Sequence, residues 1–318
     1  MITSDMASLY TLILWKVARF LAGVGITVAA GSWGLTNARR RRAQGITWES
    51  MQSEVRLTPM SVVRIVIAAL FAVFFFWSPL NYEFLSKIAG YLQQFGLVLL
   101  RSLLAYLFIF QWIMIEDRTR LRRAGWMVGV SMLIMSAVEI FTLAPMALSM
   151  TPDGGEIYKN VIVKQTTGFS CAPSTLATVC RLYGRPVTEF DAAIAIGAGY
   201  GGSFDLEIER GAVALGFQEA RFWHTTLDAI ASDDLPLQLS IKYLDVWDLH
   251  SVAMIGLSST TVFLGDPIEG LRRIPRTKFG EIWRGRAVRL GVPTFASGTT
   301  VLLSTFDPDR FKRSRSAR

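Results

Sequence analysis

Two cysteines and two histidines in 318 residues leave little material for a metal centre or a disulfide framework. Cys171 and Cys180 are nine residues apart in a stretch that reads as one helix, about 13 Å along its axis and beyond disulfide reach. His224 and His250 do not complete a zinc spacing with them, so neither metal nor cofactor is expected. Internal repeats, low-complexity tracts and a Walker A motif are also missing. The first eight residues carry no lysine or arginine, which removes the basic start of a cleaved signal peptide. The first apolar run is therefore read as an anchor that stays.

What the chain does have is apolar and unevenly placed. Its composition is 51% hydrophobic, and the excess falls before residue 150. Four stretches approach or exceed the ~20 residues that an α-helix needs to cross hydrocarbon: 9–35, 62–80, 95–115 and 126–148. Lys16 and Arg19 interrupt the first, which is expected to begin at the interface and to span from about Phe20. Arg39 to Arg42 and Arg56 fall after the first stretch, and Arg118, Arg120, Arg122 and Arg123 after the third. By the positive-inside rule both arginine-rich loops are cytoplasmic, so the N-terminus and everything after residue 150 lie outside. The net charge of +8 is largely those loops and the tail Arg310 to Arg315, which needs no nucleic acid. Inside the membrane half, Arg101 and Glu139 stand out as costly charges. They either pair across two helices or Arg101 reaches for the outer surface.

Residues 151–157 form a turn-rich linker containing Gly154-Gly155, read as a flexible hinge. After it comes Gln165-Thr166-Thr167-Gly168-Phe169-Ser170-Cys171-Ala172-Pro173-Ser174, which leads from an apolar strand into a helix with Ser170 as N-cap. A thiol in a helix's first turn feels the positive end of the macrodipole, which favours the thiolate nucleophile. Thr188 with Asp191 makes a capping box for a helix over 189–196, and Ser203 is expected to cap 204–215 ahead of Gly216. Strands follow at 236–243, 251–257, 261–264 and 287–290, with a short helix over 278–283. Helices first and strands after predict an α+β domain.

Gln165, Cys171, the strand headed by His250, the Asp266-Pro267 turn and the closing Phe279 and Trp283-Arg284-Gly285 occur in an order that resembles the C39 peptidases. These are papain-like cysteine proteases known as double-glycine leader peptidases of bacteriocin export. The resemblance covers residues 158–292, and 293–318 is a C-terminal extension with a basic tail. The residues flanking the nucleophile, Ser170 and Ala172, differ from the Asp and Gly of many members and look like a broader C39-like branch.

The apolar stretches predict a multi-span α-helical membrane region, in a bacterial inner or cell membrane, and the resemblance implies that a papain-like cysteine peptidase domain follows it. Cys171 is then the nucleophile, His250 the general base, Asp266 its orienter and Gln165 an oxyanion donor. Asp245 and Asp248 compete for the orienting role by proximity in sequence. Cys180 reads as a small buried hydrophobe and His224 as a surface or packing residue. The expected partners are the bilayer and a peptide or protein substrate, exported or membrane-proximal. Two further readings remain open: a non-catalytic C39-like domain that binds peptides and regulates a membrane partner, and transglutaminase-like acyl transfer.

Overall fold

A computed structural model describes residues 2–47, 50, 98, 101–103, 105–110, 112–114, 118–159, 161–200, 202–291 and 293–294. The expected span 62–80, parts of 95–115 and the tail beyond residue 294 lie outside the described residues. The chain divides into two compact units. One holds the described residues from Leu14 to Leu143, and the other holds the first thirteen residues and those from Ala144 onward.

Helix α1 runs unbroken over Ile2–Ala43, its residues from Leu14 onward belonging to the first unit. It is the one helix among the described residues that is long and apolar enough to cross a membrane. Lys16 and Arg19 lie within it without interrupting the helix. Arg40, Arg41 and Arg42 occupy its last turn rather than a loop, where cations complement the negative end of the helix dipole. Helix α2 covers Arg118–Leu143. It begins at residues expected to form a loop and stops short of residue 148, because Pro145 precedes a separate 3-10 turn at Met146–Ser149.

Glycines on α1 permit close packing against the segment around residues 98–114. A Cβ on Gly34 would sit 2.6 Å from the Tyr106 carbonyl oxygen, and one on Gly31 would sit 2.8 Å from Ile109. Gly23 leaves space for a buried ion pair: Arg101 Nη1 lies 2.6 Å from Glu139 Oε2, with both side chains nearly inaccessible. Arg101 also donates to Thr27 at 3.0 Å and Ser136 at 3.2 Å. Of the two readings for Arg101, the structure has the pair. Reversing either charge alone should destabilise the unit by about 3–5 kcal/mol, and exchanging both should recover most of that loss. Denaturant titration in detergent measures it, and an exchange that recovers nothing rules out the pair as a stabilising contact.

The second unit is α+β. Its small hairpin, β1 (Ile157–Tyr158) and β2 (Ile162–Val163), begins inside the expected linker. Gly155 is no hinge: a Cβ there would lie 2.3 Å from the Lys164 carbonyl oxygen, so only glycine fits. Helices α3 (Cys171–Leu182), α4 (Glu189–Ile196) and α5 (Asp205–Ala214) follow. The Thr188–Asp191 capping box forms as expected. Ser203 does not cap α5. Phe204 is the capping position, and its N–H donates to the Glu207 carboxylate at 3.1 Å.

The main sheet contains β3 (Ala220–His224), β4 (Leu237–Tyr243), β5 (Val246–Leu257), β6 (Thr261–Asp266), β7 (Gly270–Pro275) and β8 (Trp283–Leu290). Its order is β3-β8-β4-β5-β6-β7, and every pairing is antiparallel. The sequence does not reveal β3 or β7. Both are edge strands, which tolerate charged residues such as Arg272 and Arg273 and a terminal proline. The short helix α6 occupies Arg276–Phe279, earlier than expected, because Trp283 already belongs to β8.

The sheet is buried on both faces, one residue parity on each. Ala253, Ile255, Phe263 and Val288 pack with Leu176, Val179 and Cys180 of α3. Leu237, Leu239, Ile241, Val252, Met254 and Leu264 close over Phe279 and Trp283. This period-two division fixes the register, since a one-residue slip would turn each set to the wrong face.

Candidate active site

Cys171 is the first residue of α3 and is half-buried. Ser170 holds the N-cap position, but its hydroxyl makes no cap bond. It turns back to the preceding loop, donating to the Thr167 carbonyl at 3.0 Å and accepting from the Thr167 N–H at 3.1 Å. Among the described residues the Cys171 N–H has no hydrogen-bond acceptor, as a helix start permits.

His250 does not head its strand. A two-residue turn at Leu244 and Asp245, both with positive φ, lets β5 pair with β4 from Val246 onward, so His250 lies inside β5. The β5–β6 register sets Ala253 opposite Gly265 and brings Asp266, at the end of β6, alongside His250. His250 Nε2 is 3.0 Å from Asp266 Oδ1. The Cys171 thiol acts on the same ring, favouring its protonated form. The Tyr243 ring lies beside the imidazole with centroids 5.2 Å apart.

Of the rival carboxylates, Asp245 pairs with Lys242 at 2.8 Å, and the Asp248 side chain lies outside the described ones. Asp266 is the group that meets the imidazole. The remaining candidates take duller places. Cys180 is wholly buried, and burial pushes its thiol up to about 12. His224 is exposed on edge strand β3, 2.9 Å from the Arg284 carbonyl oxygen. Among the described residues no cluster of His, Cys, Asp and Glu suits a metal ion.

Gln165 is brought near this group through its backbone, whose N–H donates to the Pro267 carbonyl at 3.1 Å. Its side-chain Nε2 donates to the Thr167 carbonyl at 2.9 Å, which leaves a second amide hydrogen unassigned. Its Oε1 is buried without a partner among the described residues.

Sequence reasoning missed two residues. Glu189, fully buried at the start of α4, accepts from the Thr166 N–H at 3.0 Å, the Thr166 hydroxyl at 2.7 Å and the Ser174 hydroxyl at 2.8 Å. It fastens the Gln165 loop to the nucleophile's helix. Arg272 on β7 donates to Asp266 Oδ2 at 2.9 Å. The sequence signal for Glu189 was an acidic residue at a helix N1 position, which also serves ordinary dipole compensation. Replacing Glu189 with Ala strands the Thr166 N–H and hydroxyl and should cost about 2 kcal/mol or more, read by chemical denaturation. An unchanged midpoint would show that the loop is held by other means.

The electrostatics of the group are one-directional. Burial lowers the pKa of His250, but its hydrogen bonds and charge interactions with Asp266 and Cys171 outweigh that and raise it to about 9. Burial pushes Asp266 upward, yet His250, Arg272 and the Ile268 N–H together hold it well below the usual carboxylate range. A raised folded-state value means stability that is complete below the ordinary histidine value of 6.5 and is lost as pH climbs through about 9. Wild type should therefore lose unfolding free energy between those limits, by about 3 kcal/mol at most, while His250→Gln should not. Parallel pH dependence in both proteins would contradict this coupling.

No family model matches the chain. An uncharacterized protein of Methanothermobacter marburgensis is 27% identical over 128 residues, covering 40% of this chain and 86% of its own. The peptidase domain of Streptococcus ComA, a bifunctional ABC transporter of a quorum-sensing pathway, superposes with a TM-score of 0.38 and 24% identity. That alignment covers 42% of this chain and 98% of the ComA domain. The peptidase C39-like domain of a toxin-secretion ATP-binding protein from Vibrio parahaemolyticus gives 0.33 and 19%, over 38% of this chain and 95% of its own. The chain is similar to C39-type peptidase domains. A double-glycine-motif protease from an AMS/PCAT transporter, solved with its leader peptide, gives a TM-score of 0.35 at 18% identity over 46% of this chain and 97% of its own.

Proposed function

We propose that this chain is a membrane-tethered cysteine peptidase of the C39-like, papain-like type. The observation that carries this reading is one buried imidazole hydrogen-bonded to a buried carboxylate and favoured as a cation by a half-buried thiol at a helix start. Proton transfer from Cys171 to His250 gives a thiolate that attacks the peptide carbonyl carbon. The oxyanion is met by the Cys171 N–H and the free amide hydrogen of Gln165. His250 then protonates the departing amine, the C–N bond breaks, and an acyl-thioester remains on Cys171. Water, deprotonated by His250, releases the acid and regenerates the thiol. Asp266 keeps the ring oriented and its cation favoured throughout.

The tether is α1, supported by its length and apolar character. Arginines at the end of α1 and at the start of α2 on the cytoplasmic side put the peptidase on the periplasmic or extracellular face. Its substrate is then a peptide that reaches that face, exported or membrane-proximal.

Labelling of the full chain by a thiol-directed peptide electrophile should depend on Cys171 and His250. Cells carrying Cys171→Ala should lack peptide products present in the wild type. Gln165→Ala should retain labelling but turn over about 100 to 1000 times more slowly. Equal labelling of wild type and Cys171→Ala would reject catalysis in favour of a binding module. Transfer of the acyl group to an added amine, in place of hydrolysis, would redirect the assignment to an acyltransferase.

A further inference from the structure

The carboxylate that orients His250 has a second face, and the proposed mechanism makes no use of what meets it. Asp266 is almost inaccessible, and both of its oxygens are engaged. Oδ1 accepts from His250 Nε2 at 3.0 Å, from the Ile268 N–H at 2.8 Å and from the Glu269 N–H at 3.2 Å. Oδ2 is left to Arg272 Nη1 at 2.9 Å. Arg272 is itself steered, since its Nε lies 3.2 Å from Glu269 Oε2. The guanidinium is thus held at two nitrogens by two carboxylates three residues apart. Its plane, and through it that of Asp266, has little freedom to rotate.

The geometry points to Arg272 as a positioning residue of the catalytic centre, one that locks the Asp266 carboxylate and shares its charge so that the His250 imidazolium can still surrender its proton. This rests on the Cys171–His250 reading above. The logic is a balance of charge. A bare buried carboxylate beside an imidazole would hold the imidazolium tightly, which helps create the thiolate but hinders protonation of the leaving amine. A cation on the far oxygen weakens that hold without removing the hydrogen bond. The groups facing this centre are Cys171 from α3, Tyr243 from β4, Asp266 from β6, and Glu269 and Arg272 from the β6–β7 turn and β7. Among them Arg272 alone carries a permanent positive charge.

The pH dependence of iodoacetamide alkylation of Cys171 in the full chain in detergent reads this balance without a known substrate. Cys180 is inaccessible and does not contribute to the signal. In wild type, alkylation at pH values below the ordinary thiol range reports the thiolate–imidazolium pair, and its alkaline transition reports loss of the imidazolium. Arg272→Met should move that transition upward by about half to one pH unit, as expected for unit charges ~6 Å apart across a partly solvated boundary. Arg272→Lys should restore it. With a peptide substrate in hand, Arg272→Met should lower kcat by roughly tenfold with KM little changed. An Arg272→Met protein that melts lower but keeps the wild-type transition would overturn the inference and leave Arg272 a structural residue. Should the Met variant fail to fold, Arg272→Gln, which keeps a planar donor without charge, decides by the same shift. Wild type without alkylation at low pH would instead reject the Cys171–His250 pair itself, an outcome distinguishable from failure at Arg272.

Discussion

A single hydrogen-bonded imidazole holds the candidate site together. His250 meets Asp266 through Nε2 and is acted on by the Cys171 thiol, and each relation has a different structural origin. The Asp266 contact follows from antiparallel register between β5 and β6, fixed by the burial of alternate residues on opposite faces of the sheet. The Cys171 contact follows from packing α3 on that sheet, through Leu176, Val179 and Cys180. Two separate hydrophobic faces must therefore both form before the ring has two partners. The chemistry is a readout of the whole C-terminal unit, even though only three side chains carry it.

Two anions are buried close to the nucleophile's helix, and the fold treats them differently. Asp266 is surrounded by a titratable ring, a guanidinium and two backbone N–H groups. Its charge is coupled to the imidazole. Glu189 is met by a backbone N–H, two hydroxyls and the N-terminus of its own helix. That environment satisfies a carboxylate with neutral donors, so Glu189 fixes a loop without competing for the imidazolium. The first unit follows the first strategy: Arg101 and Glu139 neutralise one another, and Gly23 leaves the room they need.

Much of this site was legible in the sequence because catalysis demands rare residues. With two cysteines and two histidines, the choice of Cys171 and His250 was narrow, and a hairpin bringing Asp266 back to His250 could be read from the turn at 258–260. Helix α4 was legible to the residue because its capping box is a local interaction. Ser170 misled because its hydroxyl turns back to Thr167 instead of capping, and Ser203 because the helix starts one residue later, leaving its hydroxyl without a partner among the described residues. Arg272 and Glu189 were invisible because each acts on a residue distant in sequence, and neither residue type marks a site. Edge strands β3 and β7 were missed because solvent on one side relaxes the apolar alternation that identifies inner strands.

The protonation state of His250 can be followed directly by nitrogen-15 NMR of histidine-labelled protein. With two histidines in the chain, one His224 variant completes the assignment. The imidazolium signal of His250 should persist through neutral pH and disappear near about 9, and it should retreat to lower pH in Cys171→Ala. A ring that titrates near 6.5 whether or not the thiol is present would mean that sulfur and imidazole do not act as a pair.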